Sequence, residues 1–316
     1  MKPILSVVIP TFNRAPMVKR CVASVLASEG MDLECIVVDD HSPDDTGDIL
    51  RKAFGADPRF RCLRLDRNSF QAAARNAGAR LARGEYLLFL DDDNVVAPDM
   101  CARLVAALRD HPELGLAAPI SIHVLADGRR EVWTLGSDFD RRTSQPRDYL
   151  PHCGEADVPA DVKLFPTTYS PNACCVPRSV FDEVGGFDEA FVQIFEESDF
   201  GWRILATGRS AAIVAAARTD HHGFLEPGCV PALRALGIEK PYRTFCFSRN
   251  RIWFARRHFP PSGRISVIFA FGPLSVLWYG ATALRHTRPG IAWAYARGFF
   301  RGVFSRLPPP PTHSNI

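Results

Sequence analysis

The segment from Glu85 to Asn94 constrains the fold most, because an apolar run ends there in three carboxylates. Tyr86–Leu90 are five consecutive apolar residues, the pattern of a strand buried on both faces of a parallel sheet. Alternate side chains of an extended chain point the same way, so we expect Asp91 and Asp93 to project together and Asp92 to turn aside. Two adjacent carboxylates favour a divalent cation between them. A solvated acidic loop is the alternative.

Strands and helices alternate over the first part of the chain. Strands are expected at Ile4–Ile9, Leu33–Val38, Arg61–Leu65 and Tyr86–Leu90, and helices at Pro16–Ser28, Gly47–Phe54, Phe70–Ala82 and from Pro98. This alternation predicts right-handed βαβ units in an α/β fold, with a mainly parallel sheet flanked by helices. Ligands of such sheets bind beyond the carboxyl ends of the strands. Asp39 and Asp40 follow the second strand as the three aspartates follow the fourth, so one site is predicted at that edge.

The pattern weakens from Leu114 to Leu164, where short β-like pieces such as Glu131–Leu135 alternate with charged, proline-bearing loops. We expect an excursion that covers the site and carries its specificity. Order returns with an apolar strand-like run at Ala211–Ala217. The predicted organisation is a catalytic domain over residues 1–239, with a donor half at about 1–113 and an acceptor half at about 114–239, followed by a helical tail over residues 240–316.

Six short segments occur in a fixed order: Val8–Arg14, Val37–Ser42, Ala74–Gly78, Gly84–Asp93, Gly185–Glu189 and Glu196–Asp199. Each is a weak motif alone, but together they resemble family-2 glycosyltransferases of the GT-A fold over about residues 4–225. The resemblance implies a Rossmann-like, mixed and mainly parallel sheet. It also implies inverting transfer of a sugar from a nucleotide-diphospho-sugar donor to an acceptor hydroxyl, in polysaccharide or glycolipid synthesis.

The resemblance assigns four residues to the donor. Pro10 and Phe12 would line the nucleoside pocket, and Asp40 would hydrogen-bond the base or the ribose, with a helix cap as its alternative role. Arg75 would help to hold the donor, the alternative being an arginine on a helix surface. All four lie in matched segments.

A metal site is also implied. Asp91 and Asp93 match the DxD motif of the family and would hold Mg²⁺ or Mn²⁺ against the diphosphate, while Asp92 would support the sugar or the loop. His221 or His222 would complete the metal shell through a neutral imidazole, with an ordinary loop histidine as the alternative.

An acceptor hydroxyl is a weak nucleophile, so a carboxylate must take its proton during the attack. The family places this base in a Glu-Asp pair, which here is Glu196-Glu197, so Glu197 is the candidate. The extra methylene displaces the carboxylate by about 1.5 Å, which leaves Glu196 or Asp199 open as bases. Asp199 could instead pair with Arg203 one helical turn later.

Two other classes of function are alternatives to this transfer. A nucleotide-sugar-binding module with impaired catalysis is suggested by glutamate at the base position. A Rossmann-type oxidoreductase is disfavoured, because no GxGxxG follows the first strand.

The tail differs in charge from the rest of the chain. From Lys240 onward there are twelve Lys and Arg and no Asp or Glu, which leaves the first 239 residues with a net charge of −9, since the whole chain carries +3. Ile265–Leu284 is uncharged and long enough to span a bilayer, but Gly272-Pro273 interrupts it. Three arrangements stay open: association with an anionic membrane surface, packing against the catalytic domain or a second subunit of a homo-oligomer, and a membrane span.

Composition bears on partners and location. The nine cysteines show no CxxC or His-paired zinc spacing, so reduced thiols are expected. No signal peptide precedes the first strand, and we expect a cytoplasmic protein, peripheral at the inner face of the plasma membrane. The expected acceptor is a saccharide or a lipid-linked saccharide. Nucleic acid is not expected, since no recognition motif is present.

Overall fold

The computed structural model describes residues 2–125, 127–169, 172–223 and 230–312, with the backbone alone at 234 and 235. Within these ranges the strands are β1 (Leu5–Thr11), β2 (Leu33–Asp39), β3 (Phe60–Arg64), β4 (Tyr86–Leu90), β5 (Asn94–Val96), β6 (Leu114–Val124), β7 (Arg130–Val132), β8 (Ser137–Phe139), β9 (Pro146–Asp148), β10 (Leu164–Pro166), β11 (Ala173–Pro177) and β12 (Ser210–His221).

The α-helices of the same ranges are α1 (Ala15–Leu26), α2 (Thr46–Phe54), α3 (Phe70–Leu81), α4 (Met100–Asp110), α5 (Arg178–Val184), α6 (Glu196–Ala206), α7 (Pro231–Ala235), α8 (Pro241–His258), α9 (Pro261–Ile265), α10 (Gly272–Arg285) and α11 (Pro289–Phe304). Two 3₁₀ turns occur at Glu155–Asp157 and Glu189–Phe191. A π-helical segment, Ser266–Phe271, joins α9 to α10.

One ten-stranded sheet forms the centre of the molecule, in the order β10-β12-β6-β11-β4-β1-β2-β3, with β5 beside β12 and β7 beside β6. The neighbours β3, β2, β1 and β4 are parallel, and β11 is antiparallel to both β4 and β6. Since β12 is parallel to β6, six strands share one direction. The α/β fold with a mixed, mainly parallel sheet is therefore confirmed.

Helices cover both faces of the sheet. Along β1, Val7 and Ile9 join a core with α1, α2 and α4, while Val8 joins a core with α3, α5 and α6. Burial of each such aliphatic side chain contributes about 1.5–3 kcal/mol. A Cβ added at Gly78 of α3 would collide with Val8, so glycine is needed for the close approach of this helix to the sheet.

The sequence predicted an irregular excursion that begins at Leu114, and this starting point was wrong. Residues 114–124 form β6, a long central strand that is buried over most of its length. Pro119 lies inside it, where a missing N–H would break the pairing of a regular strand. The register between β6 and β12 shifts at this point, between Val214 and Arg218, so the irregularity accommodates the proline. The loops of the excursion follow β6, with β8 and β9 forming a separate two-stranded sheet.

The tail is joined to the catalytic region by a shared core. Trp253 and Phe254 of α8 are buried with Phe139, Phe191 and Phe195, which precede residue 239. The predicted domain boundary at residue 239 therefore stays a prediction, and buried side chains from both sides of it pack together. Among the described residues one helix, Pro261–Arg285, is long and apolar enough to cross a membrane, and 28% of its most apolar window is buried.

Candidate active site

Six parallel strands end at the same edge of the sheet, and five of them carry the residues of the site. Because β1, β2, β4, β6 and β12 share one direction, their carboxyl ends place a common set of polar residues there: Thr11, Asp39, Asp40, Asp91, His123 and His221. This is the edge at which parallel α/β sheets bind ligands.

The acidic segment does not continue as an extended strand. β4 ends at Leu90, and the backbone N–H of Asn94 donates to the carbonyl oxygen of Asp91, 3.3 Å away, which closes a turn. The prediction that Asp91 and Asp93 project together was wrong, because the alternation of side chains holds only in extended chain. Asp91 turns toward Arg75, whereas Asp92 and Asp93 both face Arg14.

Asp92 is the more buried of the two carboxylates that share Arg14. Its oxygens accept from Thr11 Oγ1 at 2.7 Å and Arg14 Nη1 at 3.0 Å, and the same Nη1 lies 3.4 Å from Oδ2 of Asp93. Burial raises the pKa of Asp92 to about 7, and the neighbouring carboxylates add to this rise against the opposing charge of Arg14. Asp92 thus joins β1 to the acidic turn.

Asp93 meets the histidine segment. Nε2 of His221 lies 3.3 Å from Oδ1 of Asp93, and the backbone N–H of His222 donates to the carbonyl oxygen of Asp93 at 2.9 Å. Burial alone would raise the pKa of Asp93, but His221 and Arg14 outweigh it and lower the pKa. His222 reaches the turn through its backbone, so His221 is the histidine whose ring meets the carboxylate.

Polar atoms of these side chains are available to a metal ion. Within the described residues, Nδ1 of His221 is buried without a hydrogen-bond partner, and the buried Oδ1 of Asp93 has the 3.3 Å contact with Nε2 of His221. The described residues contain no group of three or more His, Cys, Asp or Glu side chains that could hold a metal by themselves. Mg²⁺ is commonly held by one or two carboxylates together with substrate phosphates and water. Asp93 with His221 fits such a shared site, whereas a complete protein cage does not form.

Arg75 lies at the centre of a second acidic group and is 2% exposed, so it is not the surface arginine of the alternative interpretation. Its Nη2 is 2.8 Å from Oδ1 of Asp91 and 2.7 Å from Oε1 of Glu197, and its Nη1 is 3.4 Å from Oε1 of Glu196. One guanidinium therefore faces three carboxylates, which carry more negative charge than Arg75 balances by itself. The group favours a further cation or a proton.

The protonation of Glu197 follows from this arrangement. Burial raises the pKa of Glu197 to about 8, helped by the charges of Asp91 and Glu196 and opposed by Arg75. The pKa of Glu196 is raised as well, again mainly by burial. The Glu197 side chain is 23% exposed and that of Glu196 only 3%, so Glu197 is the member of the pair that solvent or a substrate can reach.

Asp199 does not share this site. Its Oδ2 accepts from Nε of Arg203 at 2.8 Å, and its Oδ1 lies 2.8 Å from both Nη1 of Arg257 and Nε2 of His258. Burial would raise its pKa, but the hydrogen bond from His258 and the charges of Arg203 and Arg257 hold the pKa well below its ordinary value. The pairing with Arg203 that the sequence left open is present, so Asp199 is a buried structural residue rather than a candidate base.

The predicted donor residues lie beside the acidic turn on β1 and β2. Pro10 is buried within β1, and the Phe12 ring that follows is 43% exposed. The carboxylate of Asp40 accepts the backbone N–H groups of Ser69 at 2.6 Å and Phe70 at 2.8 Å. Burial raises the pKa of Asp40 in spite of these two bonds. The structure thus shows Asp40 bonded to the start of α3, not to α2, the helix that its own polar cluster precedes.

The loop before α6 has an uncommon backbone. Val192, Ile194 and Phe195 have φ angles of 67°, 64° and 71°, in the left-handed region that side chains other than glycine rarely adopt. At Val192 ψ is −67°, and the N–H of Gln193 donates to the carbonyl of Phe191 at 2.7 Å, which defines a strained γ-turn. Each such residue costs about 1–3 kcal/mol. Glu196 and Glu197 follow this loop directly.

Sequence reasoning gave no role to Arg14 or His123. Arg14 is the last residue of the first motif and immediately precedes α1. Its contact with Asp92 is what connects it to the site. His123 is the next-to-last residue of β6, and its ring centroid is 5.0 Å from that of His221. Burial and the nearby histidines lower the pKa of His123 to about 4. Recognition of β6 as a strand of this edge would have placed His123 at the site.

Solved structures share this architecture. A crystal structure of GalNAc-T7 with UDP, GalNAc and Mn²⁺ matches 97% of this chain and 59% of that chain, with a TM-score of 0.61 and 18% identity. Sequence identity this low establishes the fold alone. The chain therefore has the GT-A fold, as the six motifs predicted.

Sequence relatives define the family. Residues 6–152 match the model of glycosyl transferase family 2. An N-acetylglucosaminyltransferase of Bradyrhizobium elkanii is 32% identical over 134 residues, which are 42% of this chain and 71% of that relative. The succinoglycan biosynthesis protein ExoO of Rhizobium meliloti (strain 1021) is 41% identical over 103 residues, 33% of this chain and 29% of ExoO. The chain belongs to glycosyltransferase family 2.

The alignments cover only part of several relatives. The chain spans less than half the length of seven curated relatives that it matches, from 10% to 46%. Several relatives are named for polysaccharide synthesis, among them ExoO and the chondroitin synthase of Pasteurella multocida (strain Pm70).

Proposed function

We propose that this protein is an inverting, metal-dependent glycosyltransferase that moves a sugar from a nucleotide-diphospho-sugar donor to an acceptor hydroxyl, in polysaccharide or glycolipid synthesis. The observation that carries the proposal is that Arg75 connects Asp91, at the end of β4, with Glu197, at the start of α6. The acidic turn and the candidate base therefore belong to one site. Relatives named for polysaccharide synthesis support the proposed process.

The donor would lie along the carboxyl ends of β1, β2 and β4. The exposed ring of Phe12 offers an apolar face to the nucleoside, and Pro10 shapes the backbone beneath it. Asp40 would then act chiefly by fixing the start of α3, which carries Arg75. The diphosphate would face Asp93, His221 and the guanidinium of Arg14.

Asp93 and His221 would hold Mg²⁺ or Mn²⁺, which when bound offsets the negative charge that develops on the departing diphosphate. Two protein ligands are enough when phosphate oxygens supply others. The GalNAc-T7 structure, which has a similar fold, contains UDP and Mn²⁺, and this supports a divalent ion at such a site. Asp91, turned toward Arg75, would act on the base side of the site.

Glu197 would accept the proton of the acceptor hydroxyl, and Arg75 would hold its carboxylate in place. A single displacement inverts the anomeric carbon and needs one base. Glu196 is buried behind Arg75 and would help to balance its charge.

Donor recognition can be tested by thermal unfolding of the protein with a panel of nucleotide sugars, each with and without Mn²⁺. One donor class should raise the unfolding temperature only when Mn²⁺ is present, because ligands that bind the folded state stabilise it. Release of nucleoside diphosphate on addition of saccharide acceptors then measures turnover. Binding without turnover would favour the impaired sugar-binding module, and no binding by any donor would contradict the proposed function.

The proposed location is the cytoplasmic face of the plasma membrane, where the acceptor would be a saccharide or a lipid-linked saccharide. The tail exposes several large apolar side chains to solvent. They are Ile265, Phe269, Leu274, Leu277, Trp278, Leu284, Trp293, Phe300 and Phe304. Six exposed arginines accompany them: Arg264, Arg285, Arg288, Arg297, Arg301 and Arg306. Apolar side chains beside cations suit an anionic membrane interface.

The membrane proposal predicts that Phe269→Ser with Leu277→Ser reduces sedimentation with anionic vesicles. Each change removes an exposed side chain from the interface, and together they should weaken binding by about tenfold or more. The matched control is Tyr149→Ser with Leu150→Ser, which removes two exposed apolar side chains outside the tail. Equal vesicle binding by both double variants would contradict a membrane role for this helix. Truncation at Glu239 is a poorer test, because it removes α8 from a shared core.

A further inference from the structure

We propose that Asn250 of α8 is a positioning residue that holds the loop before α6, and with it the carboxylate of Glu197, in the geometry needed for transfer. The proposal rests on the proposed function in one respect, the assignment of Glu197 as the base. It gives the tail helix α8 a part in the active site, although its sequence lies outside the predicted catalytic domain and outside every family motif.

Asn250 is fully buried and reaches across to the loop with its amide. Its Nδ2 lies 2.7 Å from the carbonyl oxygen of Phe191, 2.9 Å from that of Gln193 and 2.7 Å from that of Ile194. The orientation of the amide is fixed, because Oδ1 accepts from Nε of Arg249 at 2.9 Å while the three loop groups are acceptors. The Asn250 side chain therefore contacts three backbone carbonyl oxygens within the four residues from Phe191 to Ile194.

Arg249 strengthens the same attachment. Its Nη2 donates to the carbonyl oxygens of Ala190 at 3.0 Å and Phe191 at 3.3 Å. Its guanidinium also stacks over the ring of Trp253, with 4.3 Å between the guanidinium carbon and the ring centroid. The two neighbouring residues of α8 thus bond the loop from the 3₁₀ turn to Ile194.

The loop needs such an external attachment. Val192, Ile194 and Phe195 all have left-handed backbone conformations, and a residue of this kind persists only where its surroundings determine it. The carbonyls that Asn250 binds lie beside these three residues. The first turn of α6 begins at once, since the N–H of Asp199 donates to the carbonyl of Phe195 at 2.8 Å. Relaxation of the loop would therefore shift Glu196 and Glu197.

The test is Asn250→Ala in the full chain. We expect kcat to fall by about 10- to 100-fold, the range produced by small displacements of catalytic groups. The Kd of the donor with Mn²⁺ should stay unchanged, because the acidic turn is anchored independently on β1 and β12. Amide hydrogen exchange of residues 192–197 should accelerate, while exchange within the central sheet stays as in the wild type.

The matched control is Thr244→Val, a buried polar residue of the same helix whose hydroxyl donates to the carbonyl of Lys240 at 2.8 Å. It should lower the unfolding temperature without altering kcat or exchange of the loop. Wild-type kcat in Asn250→Ala would overturn the proposal. So would a fall of kcat and donor affinity together, in proportion to the lost stability and without faster exchange of the loop.

A second variant covers the case in which Asn250→Ala does not fold. Arg249→Met keeps the alkyl packing on Trp253 and removes two bonds to the loop, so it should reduce kcat several-fold and accelerate exchange of the same amides. Unchanged kcat and exchange in Arg249→Met would overturn the proposal. If the wild type transfers no sugar, the proposed function fails. The exchange measurement then still decides whether α8 holds the loop.

Discussion

Replacing Glu197 by glutamine should leave donor binding intact and reduce sugar transfer by about 10²- to 10⁴-fold, the usual contribution of a general base. The substitution preserves shape, and the amide oxygen can still accept from Nη2 of Arg75, which now bonds Oε1 of Glu197 at 2.7 Å. What is lost is the ability to take a proton. Donor affinity should persist, because Asp93, His221 and Arg14 are unchanged.

The measurement is kcat for transfer together with the Kd of the donor in the presence of Mn²⁺. Glu183→Gln is the matched control: the same chemical change at an exposed residue of α5, where Glu183 pairs with Arg209 at 2.9 Å. The control should behave as the wild type. Full activity in Glu197→Gln would move the base to another residue, and Glu196, which shares Arg75, would then be tested by the same substitution.

The fold was largely predictable because burial imposes simple periods on the sequence. Tyr86–Leu90 was predicted as a strand with its observed bounds, since a strand covered on both faces must be continuously apolar. The shared edge of Asp40 and the acidic turn followed from the direction of parallel strands. β6 was missed because Pro119 is atypical of a central strand and is accommodated only by the shifted register of its neighbour β12.

The site itself was less predictable because its contacts join distant residues. Arg75 meets Glu197 across more than a hundred residues, and no local pattern signals that a helix arginine will be buried among carboxylates. The direction of Asp91 depends on the turn after Leu90, to which the strand period does not apply. The residues nominated from motifs were mostly near the site, while their pairing had to come from the structure.

Folding also buries or pairs some of the cationic side chains of the tail. The sequence shows twelve cations without an acid, but Arg257 bonds Asp188 and Asp199 of the preceding region. Arg251 is buried, with its Nη1 3.1 Å from the hydroxyl of Tyr295. The exposed arginines beside the exposed apolar side chains are those from residue 264 onward, and a net charge per segment overstates what a membrane surface would meet.

Replacing Asp93 by alanine should weaken donor binding in the presence of Mn²⁺ by on the order of 100-fold, equivalent to about 2.7 kcal/mol. Asp93 is the carboxylate that faces His221, with 3.3 Å between its buried Oδ1 and Nε2 of the histidine. The fold should survive, because Arg14 keeps its bond of 3.0 Å to Asp92.

The measurement is the Kd of the donor with and without Mn²⁺. Asp48→Ala, which removes an exposed carboxylate of α2 paired with Arg51, is the control and should keep the metal dependence of the wild type. Asp91→Asn distinguishes the two acids of the motif. If Asp91 acts with Arg75 on the base side, its substitution should lower kcat more than donor affinity, whereas an equal loss of metal-dependent affinity in both variants would make Asp91 a ligand. Metal-dependent affinity that is unchanged in Asp93→Ala would contradict the role of Asp93, and with it a cation at this edge of the sheet.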